Sequence, residues 1–232
     1  GQVDSYEEVA VGEVGTLIAR LKSHGMTRVI MAGKVTKDVL LTPSATFDAE
    51  TRRLLGEANE FSVNGLLGGL ARRLAEEGIT LLDSSALLQD SLCPLGVLTS
   101  RAPTAAESED LRVGAQAARQ VASLDIGQTV VVKGRVVVAV EALEGTDAAI
   151  RRAQALAGGG LVVVKMASPT QDRRFDLPVI GTDTITTLRE CQVSCLGVEA
   201  RTTILLDPEA LLTSANQAGL CLVGLTASPT SS

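Results

Sequence analysis

The sequence has 232 residues, 45% hydrophobic and 21% charged, a balance that fits a folded chain with a sizeable core and excludes intrinsic disorder. Aromatic residues make up only 2% and the net charge is −6, which argues against a base-stacking platform and against the basic face of a nucleic-acid binder. No apolar run approaches the ~20 residues of a membrane span, the N-terminus is acidic and unlike a signal peptide, and the four cysteines form no CxxC pair, the pattern of reduced, partly buried thiols in a cytosolic protein.

In chain order, Val14, Leu17, Ile18 and Leu21 recur at helical spacing, so residues 13–24 are expected to form an amphipathic helix closed by Gly25. A short buried strand, Arg28–Met31, runs into Ala32-Gly33-Lys34, and this helix, strand and glycine turn read as the last part of a Rossmann-like unit. Residues 62–77 form a second helical stretch, with a strand over Ile79–Leu82. From Asp90 to Pro103 two prolines interrupt any periodicity, which marks a linker. Thr104 and Glu107 then form a capping-box signature for a helix to about Ser123. Thr129–Lys133 and Val136–Glu141, separated by Gly134 and Arg135, read as a β-hairpin. Thr146 opens a helix to about Leu156, and Leu161–Lys165 is a buried β-branched strand. A helix from Thr182 or Asp183, strands at Cys195–Val198 and Thr203–Leu206, a helix from Pro208 and a strand at Leu220–Leu225 complete the chain before a frayed tail over 226–232. The expected architecture is α/β: an incomplete N-terminal Rossmann-like domain (1–89), a linker (90–104) and a C-terminal mixed α/β domain (105–232).

The only histidine, His24, stands at a helix end, where it complements the helix dipole, and its isolation removes Ser-His-Asp, Cys-His and His-rich zinc chemistry. Carboxylates, lysines, backbone amides and a hard metal ion are left to act. Three stretches place polar residues at strand ends. Glu141, Glu144, Gly145, Thr146 and Asp147 lie between the hairpin and a helix, suited either to Mg²⁺ or phosphate binding or to plain helix capping. Lys165 ends a buried strand shortly before Asp172, Arg173, Arg174 and Asp176, a site for an anionic substrate or a solvated charged loop. Gly181, Thr182 and Asp183 open a helix with exposed N–H groups, again a phosphate site or a cap.

Several of these segments carry a family resemblance. Leu124–Gln128, Val140–Asp147 with Arg151 and Arg152, Phe175–Gly181, Gly197–Ala200 and Leu206–Ala210 occur in the order seen in the LpxI-type UDP-2,3-diacylglucosamine pyrophosphatase family, and Gly12–Val35 is similar to that family's N-terminal domain. The resemblance runs over about residues 10–225, specific in the second half and weak between 36 and 105. It implies a two-domain α/β enzyme of lipid A synthesis that hydrolyses UDP-2,3-diacylglucosamine to UMP and 2,3-diacylglucosamine 1-phosphate, dependent on Mg²⁺, with water attacking the sugar-side phosphorus. The catalytic aspartate of the family's aspartate-leucine-proline motif falls on Asp176. From residue type rather than from the resemblance, Lys165 is expected to act on phosphate charge, Gln128, Gly145, Thr146 and Thr182 to hold substrate, and Glu144 and Asp147 to join Asp176 around the metal. The implied setting is cytoplasmic, with transient contact at the inner-membrane surface, no nucleic-acid partner and a homodimer as a plausible assembly. The chain departs from the family in lacking its opening strand and glycine-rich turn, and in having Ser62-Val63-Asn64-Gly65 where acidic residues usually follow a glycine. Those departures keep two alternatives in view: an inactive binding or regulatory homologue, and a hydrolase of another nucleotide-lipid or nucleotide-sugar pyrophosphate.

Overall fold

A computed structural model describes residues 3–33, 47–57, 63–168, 172–175 and 177–226, the side chains of residues 63 and 64 excepted. Lys34, Val35, Ser62, Asp176 and the tail 227–232 therefore lie outside the described residues. By its contacts the chain divides into two units, Gly1–Ala86 with Asp172–Asp176, and Leu87–Gln171 with Leu177–Ser232.

The first unit contains α1 (Val14–Ser23), β1 (Arg28–Val29), α2 (Ala49–Glu57), α3 (Val63–Glu76) and β2 (Thr80–Leu81), with β1 and β2 paired in parallel. Val14, Ile18, Leu54, Leu70, Leu74 and Ile79 are among its buried core residues. Asp48 ties two helix starts together: one oxygen accepts from Gly15 N at 2.7 Å and the other from Thr51 N at 2.7 Å. Burial opposes the charged form, but these bonds hold the Asp48 carboxyl below its ordinary range. Both strands are shorter than their apolar runs suggest, and α2 arises where periodicity gave no helix. Gly25 closes α1 at φ 66°, and His24 beside it meets Glu7 at 2.6 Å.

The second unit is a three-layer α/β sandwich. Its elements are β3 (Gly96–Val97), α4 (Ala105–Ser123), β4 (Thr129–Lys133), β5 (Val136–Val140), α5 (Thr146–Ala157), β6 (Leu161–Lys165), β7 (Val179–Ile180), α6 (Thr182–Glu190), β8 (Val193–Glu199), β9 (Ile204–Leu205), α7 (Pro208–Gln217) and β10 (Cys221–Leu225). Six strands form one sheet in the order β3-β10-β8-β6-β4-β5, while β7 and β9 pair separately. Strands β6, β8 and β10 are parallel, and β4 runs antiparallel to both neighbours. Side chains alternate across the sheet: Val130, Val132, Val162 and Val164 pack beneath α4, whereas Val131, Leu161, Val163 and Leu196 join a core with residues of α5, α6 and α7. Both faces are covered, which is why these strands read as unbroken apolar runs.

The stretch expected as linker is partly built into this sheet. Gly96 and Val97 pair antiparallel with Gly224 and Val223, and a Cβ on Gly224 would lie 1.9 Å from the Pro94 carbonyl oxygen. Thr104 and Glu107 form the expected capping box, and Arg101 clasps Glu107 through two hydrogen bonds of 2.8 and 3.0 Å. The same guanidinium donates to the carbonyls of Gly219, Ala102 and Ser194. All four cysteines are buried and free, and burial pushes the Cys93 thiol up to about 11, far from a nucleophilic thiolate.

Candidate functional site

The C-terminal edge of the parallel strands is where open α/β sheets gather ligands, and here it collects polar groups from four elements. Thr129 starts β4 and is paired in register with Lys165 at the end of β6. On the other side of β4, Glu141 N donates to Thr129 O at 2.8 Å, which fixes the residue that leaves β5. Gln128 is held between these strands, its carbonyl accepting from Met166 N at 3.0 Å and its N–H donating to Glu141 Oε2 at 3.3 Å. The approach requires glycine at 127, because a Cβ there would stand 2.2 Å from the Glu141 carbonyl oxygen.

A hydroxyl stands at the centre of the cluster. Thr146 Oγ1 donates to Glu141 Oε1 at 2.9 Å and accepts from Lys165 Nζ at 3.0 Å. The Thr129 hydroxyl lies 3.4 Å away. Thr146 therefore does not cap its own helix: the N-cap is Gly145, at φ 83°, with no side-chain cap bond. The result is an ammonium steered by a neutral hydroxyl, at the N-terminal end of α5, where the helix dipole also favours negative charge. Glu141 is half-buried, and among the described residues it accepts from neutral donors, the Thr146 hydroxyl and the Gln128 N–H.

Gln128, Gly145, Thr146 and Lys165 are thus brought together. Thr182 is not; it is the exposed first residue of α6, and its carbonyl accepts from Thr186 Oγ1 at 3.1 Å. Glu144 turns away from the cluster to meet Arg152 at 2.6 Å, and that guanidinium holds its carboxyl below the ordinary range. Asp147 is exposed in the first turn of α5. Asp176 lies outside the described residues. Among the described residues no three His, Cys, Asp or Glu side chains are gathered for a metal ion.

Two carboxylates at this edge escaped selection from the sequence. Glu141 was in the segment of interest, yet only folding separates it from Glu144. Glu199, at the end of β8, is buried; it accepts from Ala167 N and from Thr202 Oγ1, both at 3.2 Å, and so braces the chain leaving β6. Its signal was a lone carboxylate ending the apolar run from Cys195 to Val198.

Comparison with known proteins gives concordant results. The model of the LpxI N-terminal domain matches residues 1–91 and that of the LpxI C-terminal domain matches residues 94–223. The chain is also similar to UDP-2,3-diacylglucosamine pyrophosphatase LpxI of Caulobacter vibrioides, at 30% identity over 228 residues, covering 94% of this chain and 81% of that protein.

Proposed function

The chain belongs to the LpxI family, and from that premise we propose that it hydrolyses the pyrophosphate of UDP-2,3-diacylglucosamine to UMP and 2,3-diacylglucosamine 1-phosphate in lipid A synthesis. The observation that carries the reading is the match of both family domains, in order, along nearly the whole chain. The Lys165–Thr146–Glu141 cluster supports it chemically.

In this reading water attacks the phosphorus on the sugar side. One P–O bond forms, the bond to the bridging oxygen breaks, and that oxygen leaves on UMP. Negative charge shifts onto the leaving phosphate, and positioned cations are the main source of rate in phosphoryl transfer. Lys165 supplies such a cation, and Thr146 fixes its direction because its hydroxyl hydrogen is committed to Glu141. Asp176, assigned by its place in the family motif, orients the water and takes its proton.

The reading includes Mg²⁺, which binds hard oxygens, commonly one or two carboxylates completed by substrate phosphate and water. Glu141 has that donor chemistry, whereas Glu144 is already neutralised by Arg152. When bound, the ion neutralises pyrophosphate charge. Because the substrate carries two acyl chains, the proposal also places the protein in passing contact with the inner-membrane surface. Among the described residues no helix is long and apolar enough to cross a membrane.

The test is UMP release from UDP-2,3-diacylglucosamine by the purified chain, in Mg²⁺ and in EDTA, beside Asp176→Ala. Release that needs Mg²⁺ and vanishes in the variant is expected, with ¹⁸O from labelled water found in the sugar phosphate. No release by folded protein in Mg²⁺ overturns the activity, and undiminished release in EDTA removes the metal from it.

A further inference from the structure

The main chain that leaves β6 is gripped from both neighbouring strands. The last ladder pairs of β6 join Lys165 to Thr129 on β4 and to Val198 on β8. One residue further, Met166 N donates to the Gln128 carbonyl oxygen at 3.0 Å. The next N–H, that of Ala167, donates to a side chain instead, Oε2 of Glu199, at 3.2 Å.

A side chain takes this place because the main chain of β8 has already turned off. The Glu199 carbonyl accepts from Thr203 N at 3.1 Å, and Ala200 N donates to the Leu225 carbonyl at 2.8 Å. Arg201 follows at φ 63°, its N–H donating to the Cys93 carbonyl at 2.8 Å. The Glu199 carboxyl therefore extends the β6–β8 ladder by one rung. Its second oxygen accepts from Thr202 Oγ1 at 3.2 Å, so both oxygens are engaged and the side chain has one orientation. The residue is 8% exposed, and its printed partners are an amide and a hydroxyl. Burying a carboxyl against neutral donors is a costly way to end a strand.

We infer that Glu199 is a positioning residue for Lys165. The inference rests on the reading of Lys165 as the cation that meets the pyrophosphate. A lysine side chain is long and flexible, so its head is placed only when both its tip and its base are held. Thr146 holds the tip, accepting from Nζ at 3.0 Å. The base is held by the successive grips of Gln128 and Glu199 on the two residues after Lys165. A displacement of about 1 Å at a reacting group costs on the order of 100-fold in rate, so the loss of one grip among several is expected to cost about 10-fold.

The experiment measures UMP release by the full chain carrying Glu199→Leu, Glu199→Gln or Thr202→Val, each alone and combined with Lys165→Ala. Glu199→Leu keeps the volume and removes the acceptor; kcat should fall about 10-fold with KM near wild type. Glu199→Gln keeps an acceptor for Ala167 N and should recover most of that loss. Thr202→Val leaves Glu199 in place but frees one oxygen, and a two- to threefold fall in kcat is expected even if Glu199→Leu does not fold. In the Lys165→Ala background none of these changes should slow the reaction further. A merely structural role would lower the rate equally in both backgrounds, and that result overturns the inference, as does wild-type kcat in the folded variants or a loss confined to KM. Amide exchange at Ala167 reads the grip without turnover: faster exchange in Thr202→Val supports it, and unchanged exchange overturns it. Wild-type turnover by Lys165→Ala would instead sink the reading of Lys165, and the inference with it.

Discussion

At the end of the sheet where β6, β8 and β10 begin, Arg101 and Glu107 close on each other and the guanidinium's remaining donors go to main-chain carbonyls. Nearby, Asp110 accepts from Gly134 N and Arg135 N and so pins the β4–β5 turn. At the end where those strands finish, Glu141 accepts from the Thr146 hydroxyl and the Gln128 N–H among the described residues, and Lys165 donates to the same hydroxyl. Both networks use carboxylates, yet one closes a guanidinium on a carboxylate and ties down main-chain groups, while the other gathers a carboxylate, two threonine hydroxyls and a lysine at a helix N-terminus. A polar cluster at a sheet end therefore becomes informative through the pairing within it, more than through its residue types.

The contrast is broken most directly at Lys165. Lys165→Ala is expected to lower kcat/KM by about 10²- to 10³-fold, the usual loss for one preorganised charge-stabilising donor, with a melting curve close to wild type. Turnover within threefold of wild type would remove Lys165 from the reaction.

At the opposite end, Arg101→Ala should give the reverse pattern, a loss of about 2 kcal/mol in stability with kcat unchanged; a broken buried pair costs more, but Arg101 is partly exposed. The same pair predicts a pH signature. Arg101 beside Glu107, aided by Thr104 and Ser194 against burial, holds that carboxyl at about 2 rather than 4.5. The folded value is the lower one, so the contribution is complete above about 4.5 and is lost as pH falls toward about 2. Urea midpoints through that window should fall more steeply for wild type than for Arg101→Ala, and parallel curves would refute the assignment.

The smallest effect sharpens the functional end. Thr146→Val keeps shape but removes the hydroxyl that links Glu141 to Lys165, and about a 5- to 10-fold fall in kcat is expected, the worth of one hydrogen bond. A loss in KM alone would make Thr146 a binding contact rather than the guide of Lys165.

Much of the second unit could be read from the chain because local chemistry and tertiary contacts agree there. The β4–β5 hairpin follows from two valine runs around Gly134-Arg135, both at positive φ, and α4 starts at its capping box. The segment β3 could not be read, since two residues next to Pro94 become a strand only by pairing with β10. Helix α2 has just two buried residues and owes its start to Asp48 and its flank to Glu50, which pairs with both Arg53 and Arg73, so apolar periodicity had little to detect. In the site, Lys165, Thr146 and Gln128 could be found as polar residues at strand ends. The choice of Glu141 over Glu144 could not, because it depends on Arg152 reaching back from the second turn of α5 to take Glu144 out of play.

The position of β10 has a consequence for the order of folding. It lies between β3 and β8, although it is the last of the described strands, and its partner Val97 is joined to Val223 across most of the second unit's sequence. During synthesis β6 and β8 are complete while β8 still has an open edge, and β3 has nothing to pair with until β10 arrives. Long-range pairings of this kind are slow and leave apolar strand edges exposed in the meantime. The insertion of Cys221–Leu225 is therefore the step that closes the sheet, and the chain is most prone to aggregation in the interval before it.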